Sequence, residues 1–219
     1  MKVPLQARSQ KTLEKLTRAT ETLLETHDWS SIQVQSICAK AKVSVGSFYA
    51  RFDNKEALLD HLDDLYTQSV LENTKSLGHE IATAACLKDA VELLTNAIHN
   101  FYTEKTGLSR ALIMRARSGH VETRSRTRQM TDSIPDLIVC FKPHSGEILH
   151  DDWERAMREC VGVSFHALRE NLLFSQSLDI AIPGKRLRNM LTRMICLHLK
   201  TGQDFDTGRR PTTQITEEY

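Results

Sequence analysis

The sequence predicts an all-α fold, on three observations. Glycine (9) and proline (5) are sparse among 219 residues, so few positions force the chain out of a helix. Apolar residues recur at spacings of three and four along most of the chain. The strict alternation of a half-buried strand is missing, as is any internal repeat. A hydrophobic share of 40% and a charged share of 26% suit a globular protein with a true core.

The elements follow in order. After a polar lead-in, Met1 to Arg8, Ser9 can cap a helix carrying Leu13, Leu16, Ala19, Thr20, Leu23 and Leu24, ending near His27-Asp28. A short helix, about Val34 to Ala41, puts Val34, Ile37, Cys38 and Ala41 on one face. A tight turn at Lys42-Val43 follows, and Ser44 can cap a third helix through Phe52. Either Asp53 or Asn54 can cap a fourth, Lys55 to about Ser76, which Gly78 would end. Helical periods continue over about Lys88–Lys105, Leu108–Ser118 and Val121–Phe141, with Pro135 set to kink or divide the last. "KPHSGEILHD" reads as a loop. Two long helices close the pattern, about Asp152–Ser175 and Pro183–Leu199. Residues 201–219 lack apolar period and read as a flexible tail.

Charge is uneven. Residues 1–55 hold 9 Lys+Arg against 5 Asp+Glu, a net of +4, whereas the remainder holds 20 against 23. A basic head on a mildly acidic body suggests that the head alone meets a polyanion. The cysteines Cys38, Cys86, Cys140, Cys160 and Cys196 are odd in number and form no CxxC pair. They read as small core residues of a cytoplasmic protein. No signal peptide or membrane-length apolar run is visible.

Two short helices joined by a tight turn, after a longer one, form a helix-turn-helix pattern, whose second short helix lies in the major groove of DNA. On a helical wheel Phe48 and Phe52 share the core side. Gly46 and Ala50 lie opposite, flanked by Ser47 and Tyr49. A surface helix would carry Lys and Glu on that outer face. The rival reading is a short buried helix in which Gly46 merely permits close packing.

Residues Ile32 to Leu59, "IQVQSICAKAKVSVGSFYARFDNKEALL", resemble the DNA-binding domain of the tetracycline-repressor (TetR/AcrR-type) family. Tyr49, Phe52 and the Lys55-Glu56-Ala57-Leu58 run carry the likeness, which covers roughly the first 60 residues. It implies an N-terminal three-helix helix-turn-helix DNA-binding domain (1–54). A helical ligand-binding and dimerisation domain (55–200) would follow, with 55–77 as the connecting helix. By position, it implies that Ser47, Tyr49, Arg51 and Lys55, with Lys42 and Ser44 at the turn, meet phosphate. Gln35, Val45, Gly46 and Ala50 would face base edges, much of the specificity coming from shape. Two departures stand out. Lys42 occupies the family's usual glycine, where positive φ costs a lysine about 1–2 kcal/mol and invites a differently shaped turn. Gln33 replaces the usual Thr cap, so Ser31 is the substitute to expect.

For the body, the resemblance implies that the last two helices pair with those of a second copy. Gly162, Ser164, Ala167 and Leu168 would permit close approach, and Leu191, Met194 and Ile195 would supply apolar area. A homodimer on near-palindromic double-stranded operator DNA follows, two readers about 34 Å apart matching half-sites one turn apart. Release by an unidentified small-molecule effector, and hence repression, is the family's habit. Candidate pocket residues are His99, Phe101, Met114, Met130, Phe141, Phe165 and His166. The arginines of "RALIMRARSGHVETRSRTR" (Arg110, Arg115, Arg117, Arg124, Arg126, Arg128) read as a solvated surface rather than an anion site. An enzyme is the runner-up, alongside a helical interaction module that keeps the fold without operator binding. GxSxG, HExxH, P-loop and dinucleotide-binding spacings are absent, and "GVSFH" at Gly162 lacks the closing glycine. His144, His150, Asp151 and Asp152 make only weak metal spacing. The expectation is a protein without catalysis, cofactor, metal or membrane partner.

Overall fold

A computed structural model describes residues 5–174 and 181–201. Those residues form α1 (Leu5–Leu24), α2 (Val34–Ala41), α3 (Val45–Tyr49), α4 (Lys55–Ala82) and α5 (Leu87–Thr103). Beyond them come α6 (Thr106–Arg117), α7 (Val121–Asp132), α8 (Ile134–Val139), α9 (Trp153–Leu173) and α10 (Gly184–Thr201). Short 3-10 turns sit at Trp29–Ser31 and Lys142–Glu147. No strand occurs among the described residues. The tail expected over 201–219 lies, apart from Thr201, outside them.

Local chemistry explains most boundaries. Ser44 caps α3, its Oγ accepting from Ser47 N at 3.1 Å. Asn54 rather than Asp53 caps α4, accepting from Ala57 N at 2.9 Å. Asp152 caps α9 through Arg155 N. Ser133 and Pro135 divide the 121–141 pattern into α7 and α8, as a proline that cannot donate to the helix ladder should.

Four expectations need correction. Ser9 lies inside α1, which begins at Leu5. Gly78 does not end α4 but sits buried within it, and a Cβ there would meet Cys140 Sγ at 3.0 Å. The glycine lets α8 approach, and the helix runs on to Ala82. The third helix stops at Tyr49, and residues 50–52 continue as a turn in which Phe52 N still donates to Phe48 O. Part of the "KPHSGEILHD" loop is a 3-10 turn.

Two apolar cores organise the chain. The head core joins Leu16, Ile37, Phe48 and Phe52 with Leu58, Leu62 and Tyr66 of α4 and Leu108 and Leu112 of α6. The body core gathers Ile81, Leu94, Ile138, Met157, Leu168, Leu191 and Ile195 from α4, α5, α8, α9 and α10, with Phe141 just beyond α8. Phe101 packs against both. Helix α4 therefore belongs to head and body at once.

Candidate nucleic-acid interface

The reader is built from Phe48 outward. Phe48 is fully buried and Phe52 nearly so, their rings 5.7 Å apart. Phe52 meets His61 of α4 at 5.9 Å, which fixes α3 to the long helix. Tyr49 stacks edge-on against Phe48 at 5.3 Å yet is 53% exposed, so its hydroxyl end points away from the core. Gly46 has no atom nearer to a built Cβ than Ser44 Oγ at 3.9 Å. No packing contact needs that glycine, which removes the close-packing reading and leaves a thin, open outer face. Gln35, Lys42, Ser44, Val45 and Ala50 are all exposed around it.

Lys42 holds a left-handed conformation, φ 55° and ψ 48°. The turn thus keeps the form that suits glycine, and the lysine bears the strain instead of reshaping it. Its amide donates to Ala39 O at 3.2 Å and Val43 N donates to Cys38 O at 3.0 Å, closing α2 as a left-handed cap does. Gln33 precedes α2 with no side-chain cap. Ser31 does not substitute for it, because its hydroxyl donates to Asp28 O at 2.8 Å within the 3-10 turn.

Several expected phosphate donors have partners inside the protein. Arg51 Nη1 donates to Ser47 O at 2.8 Å, and Nη2 donates to Ser9 O and Ser9 Oγ at 3.2 and 3.1 Å. The guanidinium staples the end of α3 to α1. Lys55 Nζ donates to Trp29 O and Ile32 O, each at 2.9 Å, and lies 4.9 Å above the Trp29 ring. Its ammonium collects carbonyls at and just after the 3-10 turn, Trp29 O also accepting from Ile32 N at 3.2 Å. Ser44 and Ser47 share a hydroxyl contact of 2.9 Å. The exposed cation just before α3 is then Lys42, with the half-exposed Tyr49 at the end of α3 itself.

Trp29 and Glu56 form ties between head and body that sequence reasoning missed. Trp29 Nε1 donates to Glu56 Oε1 at 2.9 Å, and Glu56 pairs with Arg115 at 3.6 Å. Arg115 donates to Asp60 at 2.8 Å and lies 2.8 Å from His120 Nε2. Arg126 reaches Asp63 at 3.1 Å and Asp64 at 2.6 Å. Burial pushes the Asp63 carboxyl above the ordinary range, against the pull of Thr123 and Arg126. Arg115 and Arg126 are therefore not solvated: they bolt α6 and α7 to the DNA-proximal half of α4. The local signal was the acidic row Glu56, Asp60, Asp63 and Asp64 at helical spacing. Arg124 and Arg128 are exposed, and Arg117 pairs with Glu170 at 2.7 Å.

The expected pocket residues do not all converge. Phe101 and Phe165 meet at 5.9 Å, joined by Tyr102 and Tyr66. Tyr66 OH donates to Phe101 O at 2.8 Å, and burial pushes the Tyr102 phenol up to about 12. Phe141 is fully buried against His144 instead. Met114 and His166 are exposed, Met130 is half-buried on α7, and His99 lies against the start of α10. Met114 misses because α6 turns Leu108 and Leu112 inward, and a residue two on from Leu112 points away.

The expected dimer contacts need similar correction. Ser164, Leu168, Leu191 and Ile195 are buried in the monomer core, and only Met194 of the apolar trio is exposed. Gly162 and Ala167 are half-buried. The exposed apolar residues of α9 and α10 are Val163, Met190, Met194 and Leu197. The weak metal set also dissolves. His144 donates to Ile81 O at 2.7 Å, His150 packs on His198, and Asp152 is a helix cap. Among the described residues no group of three or more candidate ligands gathers. The cysteines are unpaired, and burial raises the thiols of Cys38, Cys160 (to about 11) and Cys196. No described helix is long and apolar enough to cross a membrane.

A thin-faced short helix, anchored by two phenylalanines and followed by a helical body, defines a helix-turn-helix regulator fold. Residues 16–62 match the model of the bacterial regulatory proteins of the tetR family. The N-terminal segment is thus similar to that family's DNA-binding domain, and the whole fold is similar to that of solved TetR-type regulators. A putative TetR-family transcriptional regulator from Mesorhizobium loti is 16% identical, with a TM-score of 0.67 over 88% of this chain and 96% of its own. The regulator FadR from Bacillus subtilis, solved with stearoyl-CoA, is 17% identical, with a TM-score of 0.62 over 87% and 99%. Salmonella enterica GusR is 19% identical, with a TM-score of 0.56 over 86% and 95%. No curated protein sequence matches.

Proposed function

We propose that this protein is a ligand-responsive transcriptional repressor, released by a small molecule from a near-palindromic operator that it binds as a homodimer. One observation carries the DNA-reading part. Phe48 and Phe52 hold α3 from behind, while Gly46 in front touches nothing but its own capping serine. Residues 1–54 act as the reader and 55–200 as the regulatory body, with α4 common to both. Gln35, Val45, Gly46 and Ala50 approach base edges, and Lys42, Ser44, Ser47 and Tyr49 meet the backbone. Few of these can hydrogen-bond a base, so groove shape supplies much of the specificity. In this conformation Arg51 and Lys55 serve the reader by stiffening it, since Arg51 Nη1 and Nη2 and Lys55 Nζ already have acceptors.

The second copy docks on the face bearing Val163, Met190, Met194 and Leu197. Residues 190, 194 and 197 stand at i, i+4 and i+7, one stripe of α10. An effector acts only through a higher affinity for the conformation that fits the operator poorly. The aromatic group of Tyr66, Phe101, Tyr102 and Phe165 bridges the two cores, and is where an apolar effector would strain α4. The stearoyl-CoA bound by the Bacillus FadR supports a body that responds to ligands. The protein works in the cytoplasm and catalyses nothing.

Selection of bound fragments from the source genome, followed by footprinting, tests this reading. The expected result is a protected near-palindrome with half-sites about one DNA turn, ~34 Å, apart. Fragments no richer than random DNA at low salt overturn it.

A further inference from the structure

We propose that the groove between α1 and α2 is a second phosphate track, which grips the DNA backbone beside the half-site; it rests on the reader assigned above. The groove encloses about 370 Å³ and is walled by Lys11, Lys15 and Arg18 of α1 and Lys40 of α2. The three α1 cations stand at i, i+4 and i+7, so they share one face and span about 10 Å. All four are exposed. Among the described residues none of them pairs with a carboxylate, although Glu14 also lines the groove. Four arginines of the body contrast with them, because Arg110, Arg115, Arg117 and Arg126 are all paired. Unpaired cations of one sign held close together repel one another, and a polyanion removes that cost.

The shape of the row selects the partner. Its charges lie along a line and do not converge on a point, which suits an extended polyanion better than a small one. Each strand of DNA presents a phosphate every ~3.4 Å of axis, so a 10 Å row spans about three of them. The walls of the groove also adjoin the reader. Lys40 lies in the last turn of α2, two residues before the left-handed Lys42. Ser9, two residues before Lys11 on α1, holds Arg51 of the α3 turn at 3.1 Å. DNA seated on α3 therefore continues past the groove, which an unrelated acidic protein would not do.

The test compares two duplexes of the selected operator, one trimmed to the protected palindrome and one extended by a helical turn, about 10 base pairs, on each side. The triple variant Lys11→Gln, Lys15→Gln, Arg18→Gln and the single variant Lys40→Gln are titrated beside the parent. Circular dichroism confirms that each is folded. The parent should bind the extended duplex more tightly, with a steeper salt slope by about 0.9 for each added phosphate contact. The triple variant should match the parent on the trimmed duplex and lose the gain on the extended one; Lys40→Gln should lose part of it. Equal affinity of the parent for both duplexes overturns the track alone, as does a triple variant that keeps the gain. Saturable binding of free pyrophosphate, with no gain from extension, moves the groove to a small anion and also overturns it. A parent that binds neither duplex overturns the reader, and the track with it.

Discussion

Replacing Gly107 with alanine tests how tightly the reader is seated on the body. Gly107 is buried at the start of α6, against the end of α1. A Cβ there would overlap the Leu24 carbonyl and lie 2.7 Å from Glu25 N. Ordinary contact begins near 3.4 Å, so the seam must open by about 0.7 Å for Glu25 alone, and further for the carbonyl. The obstacle is helical backbone, which cannot swing aside as a side chain does. Opening also strains Gly107 N donating to Glu25 Oε1 at 3.2 Å and Arg110 Nη2 donating to Leu24 O at 3.3 Å. It pulls on Leu108 and Leu112, which complete the head core. Overpacking costs about 1–3 kcal/mol, and alanine returns less than about 1 kcal/mol of helix propensity. A net loss of about 2 kcal/mol lowers Tm by roughly 4–8 °C in a chain of this size. Urea unfolding and a thermal melt measure it, with Gly46→Ala as the control. That second glycine has open space around it, so its variant should be neutral or gain up to about 1 kcal/mol. A Gly107→Ala protein within about 0.5 kcal/mol of the parent refutes the close seam.

Lys42→Gly should raise stability by about 0.5–1 kcal/mol, because relief of the left-handed strain outweighs the extra freedom of glycine in the unfolded chain. The same variant should lose about one unit of salt slope on operator DNA; a lower Tm contradicts the strain argument. Gly46→Leu should fold as well as the parent by circular dichroism but lose operator affinity by at least tenfold, about 1.4 kcal/mol, and unchanged affinity removes α3 from the groove. Arg126→Met leaves Asp63, only 2% exposed, without its main partner, at a cost of about 3–5 kcal/mol. The folded Asp63 pKa, already raised by burial, rises further in that variant, so the folded state binds the proton more readily than the unfolded one. Stability is then retained below the unfolded carboxylate pKa and lost as pH rises through the folded value, and the deficit should shrink in urea unfolding at lower pH. Met194→Asp with Leu197→Asp should yield monomers by light scattering while keeping helicity, and an unchanged dimer moves the docking face elsewhere.

What the sequence made legible is what short segments decide by themselves. The caps at Ser44 and Asn54, the break at Pro135 and the opposite phases of Phe48 and Gly46 depend on neighbours within a turn or two. Gly78 shows where that logic stops. A glycine near the end of an amphipathic run looks like a terminator, but here it makes room for Cys140 from a helix some sixty residues on. Arg51 and Lys55 show the same for charge. Their composition suited phosphate, yet the Ser9 hydroxyl and the Trp29 and Ile32 carbonyls lie within hydrogen-bond distance once the chain folds. On α9 and α10 the error was one of phase. The best apolar stripe looks like the contact with a second copy, but a monomer fills its own core first, leaving Val163, Met190, Met194 and Leu197 outside.

These misassignments share a cause that bears on how the protein works. Arg51, Lys55, Arg115 and Arg126, which sequence reasoning sent outward to phosphate or solvent, in fact tie the head to itself or to the body. Lys55 holds the 3-10 turn that Trp29 begins, Trp29 holds Glu56, Glu56 meets Arg115, and Arg115 and Arg126 grip the same face of α4. Apolar contacts between head and body, such as Leu108 on the head core, tolerate sliding because dispersion has no preferred direction. Directional pairs at 2.6–3.6 Å do not. A shift of α6 or α7 by an ångström must break or exchange these pairs, and the cost rises with their burial. Such a network favours discrete positions of α4 over a continuum, which the proposed release of DNA by an effector requires. Its weakest point is Glu56, exposed enough for water to replace Arg115 when the pair opens. Separation of head from body should begin there, with Trp29 the first reader residue to feel it.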